Sequence, residues 1–295
     1  MDIGRVGIWT FSLDQLPNAQ AQEVAAEIEE LGFGAVWLPE AVGKDPLVHA
    51  ALLLSATRRI VLATGIASIY ARDAMAMKQG QQTLTEAFPG RFLLGLGVSH
   101  APMVEGMRGH TYAKPVPAMR AYLDAMDAAP YLAAAPTTPA QTVLGALGPK
   151  MLTLAAERTR GAHPYNVTVE HTAQARSILG PDKLLAPEVA VRLDTDPVSA
   201  RAAGREHLSV YLGLPNYVNN LKRLGFTDED FEHGGSDRLV DALVLWGDEE
   251  RIAAGVREHH AAGADHVAIQ VLVPRGGEPQ PPLAAWRRLA EALLG

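Results

Sequence analysis

The stretch Gly145-Ala146-Leu147-Gly148-Pro149-Lys150 joins an apolar run to a helical pattern and could hold a phosphate. Pro149 suits the first helical position, where a missing N–H costs nothing. Free amides, the positive helix end and the Lys150 ammonium would converge there on an anion. The same residues also describe an ordinary tight turn, and they lack the Gly-Lys-Ser/Thr order of a Walker loop. Glu40, in Trp37-Leu38-Pro39-Glu40-Ala41, stands just past another apolar run. Its carboxylate could exchange protons or bind a polar ring group, or it could cap a helix or pair with Lys44 or an arginine. His100 and His163 also follow apolar runs and could touch a ligand. Gly65, in Thr64-Gly65-Ile66-Ala67-Ser68, could relax the backbone against a ligand or simply end a strand.

Other chemistries are absent from the pattern. A metal-dependent hydrolase barrel would need His-x-His after its first strand, where Gly7-Ile8-Trp9-Thr10 stands, and Glu258-His259-His260 lacks the H-E-x-x-H spacing. No metal is expected; His259 and His260 read as solvated helix-face residues and His49 as partly buried. A serine hydrolase would need G-x-S-x-G, which does not occur. With no cysteine there is no disulfide, thiolate ligand or cysteine nucleophile, which suits a reducing cytoplasm. The net charge of -7 repels nucleic acid and anionic membrane, so neither is an expected partner. The N-terminal residues lack a signal-peptide pattern, and no apolar run reaches the roughly 18 residues of a membrane span.

The positions with possible chemistry follow runs rich in Val, Ile, Leu and Trp, and helical patterns lie between most of these runs. The spacing predicts strands over 6–9, 35–38, 60–64, 92–95, 142–145, 161–163, 188–193 and 266–273. Helices are predicted over 20–31, 46–57, 74–88, 117–127, 149–158, 248–262 and 283–294, with helices filling the space between the last two strands. Residues 100–117 read as a loop inserted after strand four. Such alternation within 295 residues predicts an α/β fold, a single-domain (β/α)8 TIM barrel over residues 1–295. A dinucleotide-binding sheet is excluded because Gly95-Leu96-Gly97-Val98-Ser99-His100 has His where its third glycine belongs. In a barrel the chemistry sits where strands end, at Trp9, Glu40, Gly65, Gly97 to His100, Gly145 to Lys150 and His163 to Tyr165.

Five segments in order resemble the luciferase-like flavin and deazaflavin oxidoreductases, especially their coenzyme F420-dependent branch. They are Ala35 to Gly43, Thr64 to Arg72, Gly90 to Gly97, Leu144 to Met151 and Gly263 to Val267. The resemblance implies a bacterial luciferase-like barrel, usually a homodimer, with F420 or alternatively FMN in its mouth and a small-molecule substrate. It implies hydride transfer between the deazaflavin and an organic substrate, with FMN-dependent monooxygenation or cofactor binding without turnover as alternatives. By the same carry-over, Trp9, Gly65, Ile66, Ala67, Gly97, Val98, Ser99 and His100 line the ring. Gly145, Ala146, Gly148, Pro149 and Lys150 receive the phosphate, Glu40 or His163 assists proton movement, and the Gly65–Ile66 bond is cis. Two departures stand out. Relatives often have His where Ala41 stands, and they commonly have Asn-Pro-Tyr-Thr-Arg-His-Pro where this chain has Ile69-Tyr70-Ala71-Arg72-Asp73-Ala74.

Overall fold

The computed structural model describes residues 1–273 and 280–295. Its strands are β1 (Val6–Trp9), β2 (Ala35–Leu38), β3 (Val61–Thr64), β4 (Ala67–Ser68), β5 (Phe92–Gly97), β6 (Gln141–Leu144), β7 (Gly161–Ala162), β8 (Leu184–Leu185), β9 (Glu188–Leu193), β10 (Val244–Gly247) and β11 (Val267–Val271). The helices are α1 (Asn18–Glu30), α2 (Pro46–Ala56), α3 (Ala74–Ala87), α4 (Pro115–Ala128), α5 (Pro149–Arg158), α6 (Val169–Leu179), α7 (Pro197–Leu208), α8 (Pro215–Arg223), α9 (Asp237–Leu243), α10 (Glu249–Ala261) and α11 (Leu283–Leu294).

β1, β2, β3 and β5 are buried at every residue, as strands covered on both faces must be. They pair in parallel, in the order β9, β11, β1, β2, β3, β5, β6, β7, β8. The ring closes through residues 184–193. β8 pairs with β7, and the Glu188 amide donates to Pro164 O at 2.8 Å. On the opposite edge, Asp265 and Ala268 donate to the carbonyls of Leu185 and Pro187 at 2.9 Å each. β8 and β9 are therefore one barrel strand, interrupted where Pro187 has no N–H to give. The eight expected strands are the eight staves of a (β/α)8 barrel.

β3 and β4 also belong to one edge. Leu62 and Ala63 stand opposite Phe92 and Leu93, but Ala67 and Ser68 stand opposite Leu96 and Gly97. One extra residue has entered between them, which makes a bulge. The Gly65–Ile66 peptide bond inside it is cis.

Beneath the bulge, the Trp37 indole fills the barrel floor. It stacks on His163 with ring centroids 4.0 Å apart, and its Nε1–H donates to His266 Nε2 at 3.0 Å. His266 donates through Nδ1 to Gly4 O at 2.8 Å, so both of its nitrogens are satisfied in the neutral form.

Three expectations are corrected. The space before the last strand is not filled by helices alone, since β10 pairs with the upper half of β9, from Val244 opposite Ala190 to Gly247 opposite Leu193. Its apolar residues run on directly from α9, so no break in composition marks the change. With α7, α8 and α9 it encloses a separate core of Leu208, Leu221, Phe226, Leu239 and Leu243. Second, residues 100–117 are not all loop: Pro102–Met107 winds a wide helical turn, and α4 begins at Pro115, because proline is tolerated in a first turn. Third, His259 is buried rather than solvated, and its Nδ1 pairs with Thr172 Oγ1 at 2.9 Å.

Candidate active site

A cavity of about 730 Å3 opens at the carboxyl ends of the strands. It brings together Trp9, Glu40, Gly65, Ile66, Gly97, Val98, Ser99, His100, Gly145, Ala146, Gly148, Pro149, Lys150 and His163. Ala67 does not reach it. The extra residue of the bulge reverses inside and outside before Ala67, which turns its side chain outward into the core under the helices, fully buried.

The bulge forms a ridge at the centre of the cavity. Gly65 N donates to Leu38 O at 2.8 Å, and its carbonyl accepts from Trp9 Nε1 at 2.9 Å. A Cβ on Gly65 would lie 2.7 Å from Trp9 Nε1 and 2.8 Å from His163 Nε2, so no larger residue fits. Gly97 and Gly145 serve the neighbouring Ile66. A Cβ at Gly97 would collide with the Ile66 side chain, and one at Gly145 would stand 3.3 Å from its Cγ2. These two glycines let Ile66 lie across the strand ends as a flat apolar support.

Glu40 is held on three sides. Its Oε2 accepts from Ser68 N at 2.7 Å and Arg72 Nη1 at 3.0 Å, and its Oε1 accepts from Arg72 Nη2 at 2.9 Å. Arg72 also reaches Asp45 Oδ2 at 2.5 Å, and Tyr122 fixes the Arg72 carbonyl at 2.8 Å. Lys44 turns away to the carbonyls of Leu13 and Leu16. Arg72, in a segment that otherwise departs from relatives, thus locks Glu40, and a carboxylate with these donors is a structural tie more than a proton carrier. His163 donates through Nδ1 to Ala186 O at 2.6 Å, which leaves Nε2 as a buried acceptor with no partner among the described residues. Burial, with the neighbouring His266, pulls its pKa down to about 3. It is neutral at ordinary pH and accepts a hydrogen bond without donating a proton.

One end of the cavity is built for an anion. Gly148 is the N-cap of α5, and the amides of Leu147, Gly148 and Lys150 donate to no acceptor among the described residues. His171 Nε2 donates to Leu147 O at 2.8 Å and steadies the loop. Arg223, at the end of α8, lines this end, with Nη2 3.6 Å from where a Gly148 Cβ would be. Orphan amides, a helix N-terminus and two cations fit a phosphate. A phosphate there and a planar ring against Ile66 match the two parts of a flavin or deazaflavin. Among the described residues, no group of three or more His, Asp or Glu could hold a metal.

The family model of luciferase-like monooxygenases matches residues 7–266. The chain belongs to that family. A Mycobacterium tuberculosis protein whose name assigns it to the coenzyme F420-dependent oxidoreductases is 28% identical over 86% of this chain and 91% of its own. The coenzyme F420-dependent tetrahydromethanopterin reductase of Methanopyrus kandleri shares the fold, with a TM-score of 0.77, 18% identity and 98% of each chain covered. So does the FMN-bound oxygenating constituent of 3,6-diketocamphane monooxygenase from Pseudomonas putida, with a TM-score of 0.71, 14% identity and 98% and 97% covered.

In this luciferase-like barrel the other end of the cavity is aromatic, and sequence reasoning missed most of it. Phe11 meets Trp9 edge to face at 4.9 Å, Tyr165 lies 5.1 Å from Trp9, and Tyr211 lies 5.2 Å from both Tyr165 and Tyr217. Tyr112, from the insertion, donates to Ser99 O at 3.2 Å, where Ser99 has φ 55°. Tyr211, Tyr217 and Arg223 come from the segment around α8, whose residues follow no strand end. Only the apolar run before Tyr165 placed that residue at the mouth. No helix among the described residues is long and apolar enough to cross a membrane.

Proposed function

We propose that this luciferase-like protein is a coenzyme F420-dependent oxidoreductase that moves a hydride between the deazaflavin and a small organic substrate. One observation carries this reading: a single cavity runs from an anion cradle, past the Ile66 ridge, to a wall of aromatic rings. The Mycobacterium tuberculosis relative, similar along most of both chains, supports the choice of F420. Two cations at the cradle, Lys150 and Arg223, also suit a cofactor with an acidic tail better than one with a lone phosphate.

When bound, a deazaflavin supplies a ring carbon that gives or takes a hydride. The amides of Leu147, Gly148 and Lys150, with Lys150 and Arg223, would hold its phosphate. Ile66 would support the ring, with Gly97 to His100 along its edge. Phe11, Trp9 and Tyr217 would keep water from the reacting face. Of the two proton-handling candidates, Glu40 would act by tying Ser68 and Arg72 behind the ridge, and His163 would offer its Nε2 lone pair from the floor. FMN with monooxygenase chemistry is the second reading, favoured by the family's name and by the FMN-bound neighbour.

Titration of the purified protein with each cofactor, followed by ring fluorescence, tests the choice. Tight binding of FMN with none of F420 would sink the first reading. A homodimer, proposed from the resemblance, is tested by light scattering of the eluted protein, and a cytoplasmic location, proposed from the lack of cysteine, by cell fractionation.

A further inference from the structure

We propose that Tyr165, with Gln270 and Tyr211, forms the seat for the substrate's oxygen, and that the substrate is an uncharged, ring-bearing alcohol or carbonyl compound. The inference rests on reading the cavity as a cofactor site, and it concerns the end opposite the phosphate cradle.

The Tyr165 hydroxyl donates to Gln270 Oε1 at 2.7 Å, and its oxygen lies 2.8 Å from the Tyr211 hydroxyl. Tyr165 has one proton and gives it to Gln270, so the Tyr211 hydroxyl donates to Tyr165. In that direction the Tyr165 oxygen keeps a lone pair for a substrate hydroxyl. Half a rotation of the Gln270 amide puts an N–H where its oxygen was. Tyr165 then accepts from Gln270 and has its own proton to offer a substrate carbonyl. The same groups therefore receive either member of an alcohol and carbonyl pair with no change of charge. Burial, reinforced by Tyr211 and Glu188, holds the Tyr165 hydroxyl well above its usual pKa, so it stays neutral throughout.

The surroundings set the rest of the substrate's character. Charged side chains lining the cavity are Glu40, already locked by Arg72, and Lys150 and Arg223 at the far end. His100, beside Tyr217, is kept neutral by burial, against the pull of Asn216. A charged substrate would lose its hydration here without a counter-ion. A ring would gain offset or edge contacts with Trp9, Phe11 and Tyr217. Ala41, where relatives often have His, offers no side-chain hydrogen bond, and Tyr165 lines the same cavity.

The test uses protein without cofactor and ligand-observed NMR titrations with acetophenone, 1-phenylethanol, ethylbenzene and benzoate. Wild type is expected to bind the ketone and the alcohol about 5-fold more tightly than ethylbenzene, as one neutral hydrogen bond allows, and to bind benzoate most weakly. Tyr165→Phe removes one oxygen and keeps the ring. It should bring ketone and alcohol down to the ethylbenzene level and leave ethylbenzene unchanged. Both proteins are then titrated with F420 and FMN. Cofactor affinity unchanged, with ketone binding indifferent to the substitution, overturns this inference alone. Absence of both cofactors from wild type overturns the reading beneath it. Benzoate binding as tightly as acetophenone, or no probe saturating wild type, also overturns the inference.

Discussion

The two ends of the cavity are made of different material. The cradle is mostly backbone: amides of Leu147, Gly148 and Lys150 at a helix N-terminus, with two cations beside them. The aromatic end is mostly side chain, drawn from β1, the segment after β7 and the approach to α8, with Gln270 of β11 bonded to Tyr165 behind them. Backbone donors recognise a group common to many ligands and tolerate little change in local conformation. Side chains can be exchanged one at a time while the barrel stays intact. The difference separates what is held for every turnover from what is selected.

The largest expected effect acts on three buried imidazoles, two in the floor that both ends share and one, His259, between α10 and α6. Burial holds His163 near pKa 3 and His259 and His266 near 4, against about 6.5 in the unfolded chain. Below pH 6.5 the unfolded chain therefore binds more protons, and stability falls as acid is added. Glu188, pushed up to about 8 by burial, works in the opposite sense, since the folded state keeps its proton between about pH 4.5 and 8. Three imidazoles outweigh one carboxyl below 6.5, and the carboxyl acts alone above it. Urea unfolding across pH 4 to 8 should give a maximum near 6.5 and a fall of at most about 2–3 kcal/mol per unit on the acid side. Stability rising steadily toward pH 4 would contradict the neutral state of these three imidazoles.

Gly65→Ala comes next, and it should damage the centre from which both ends are measured. Its Cβ meets two ring nitrogens on buried side chains at under 3 Å. Overpacking of this kind costs about 1–3 kcal/mol. Calorimetry should show that loss, and cofactor titration should show affinity down by two orders of magnitude or more. Normal affinity would separate the ridge from cofactor binding.

Arg223→Ala sharpens the comparison by changing one end alone. A charge-assisted contact contributes about 1.5–3 kcal/mol, so cofactor affinity should drop roughly 10- to 100-fold. The loss should shrink in high salt, and binding of neutral ring compounds should stay at the wild-type level. Equal loss of both would mean that the ends are not independent.

Glu40→Gln carries the smallest effect. Removing the charge opposite Arg72, which still has Asp45, should cost about 1–2 kcal/mol in thermal or urea unfolding. Turnover, once a substrate is known, should follow the loss of stability. A collapse of turnover in a protein that melts normally would restore Glu40 as a proton carrier.

Most of the barrel was legible because β1, β2, β3 and β5 are continuous buried runs, a pattern local to four to six residues. The cradle was legible for a similar reason, since Gly148 and Pro149 encode a turn and a helix start within neighbouring positions. Ala67 was misplaced because a one-residue bulge reverses inside and outside, and hydrophobicity alone does not register it. Pro187 hid the union of β8 and β9, and β10 was hidden by the apolar end of α9. Arg72 was visible at the end of a segment that resembles relatives, but its partnership with Glu40 depends on how the loop after β4 folds back. Tyr211, Tyr217 and Arg223 gave no signal, because they meet the cavity only through tertiary packing.

The pairing of β10 with β9 has a consequence for remodelling the protein. Asp194 N donates to Gly247 O at 3.0 Å, so the chain leaves the barrel after β9 and returns beside its point of departure. Everything between those points is packed around its own core and delivers Tyr211, Tyr217 and Arg223 to the mouth. With ends only about one strand spacing apart, roughly 4.8 Å, this stretch has the layout of an exchangeable cartridge. A segment of another sequence could be spliced between residues 194 and 247, giving the same scaffold a new appetite without recutting a single stave.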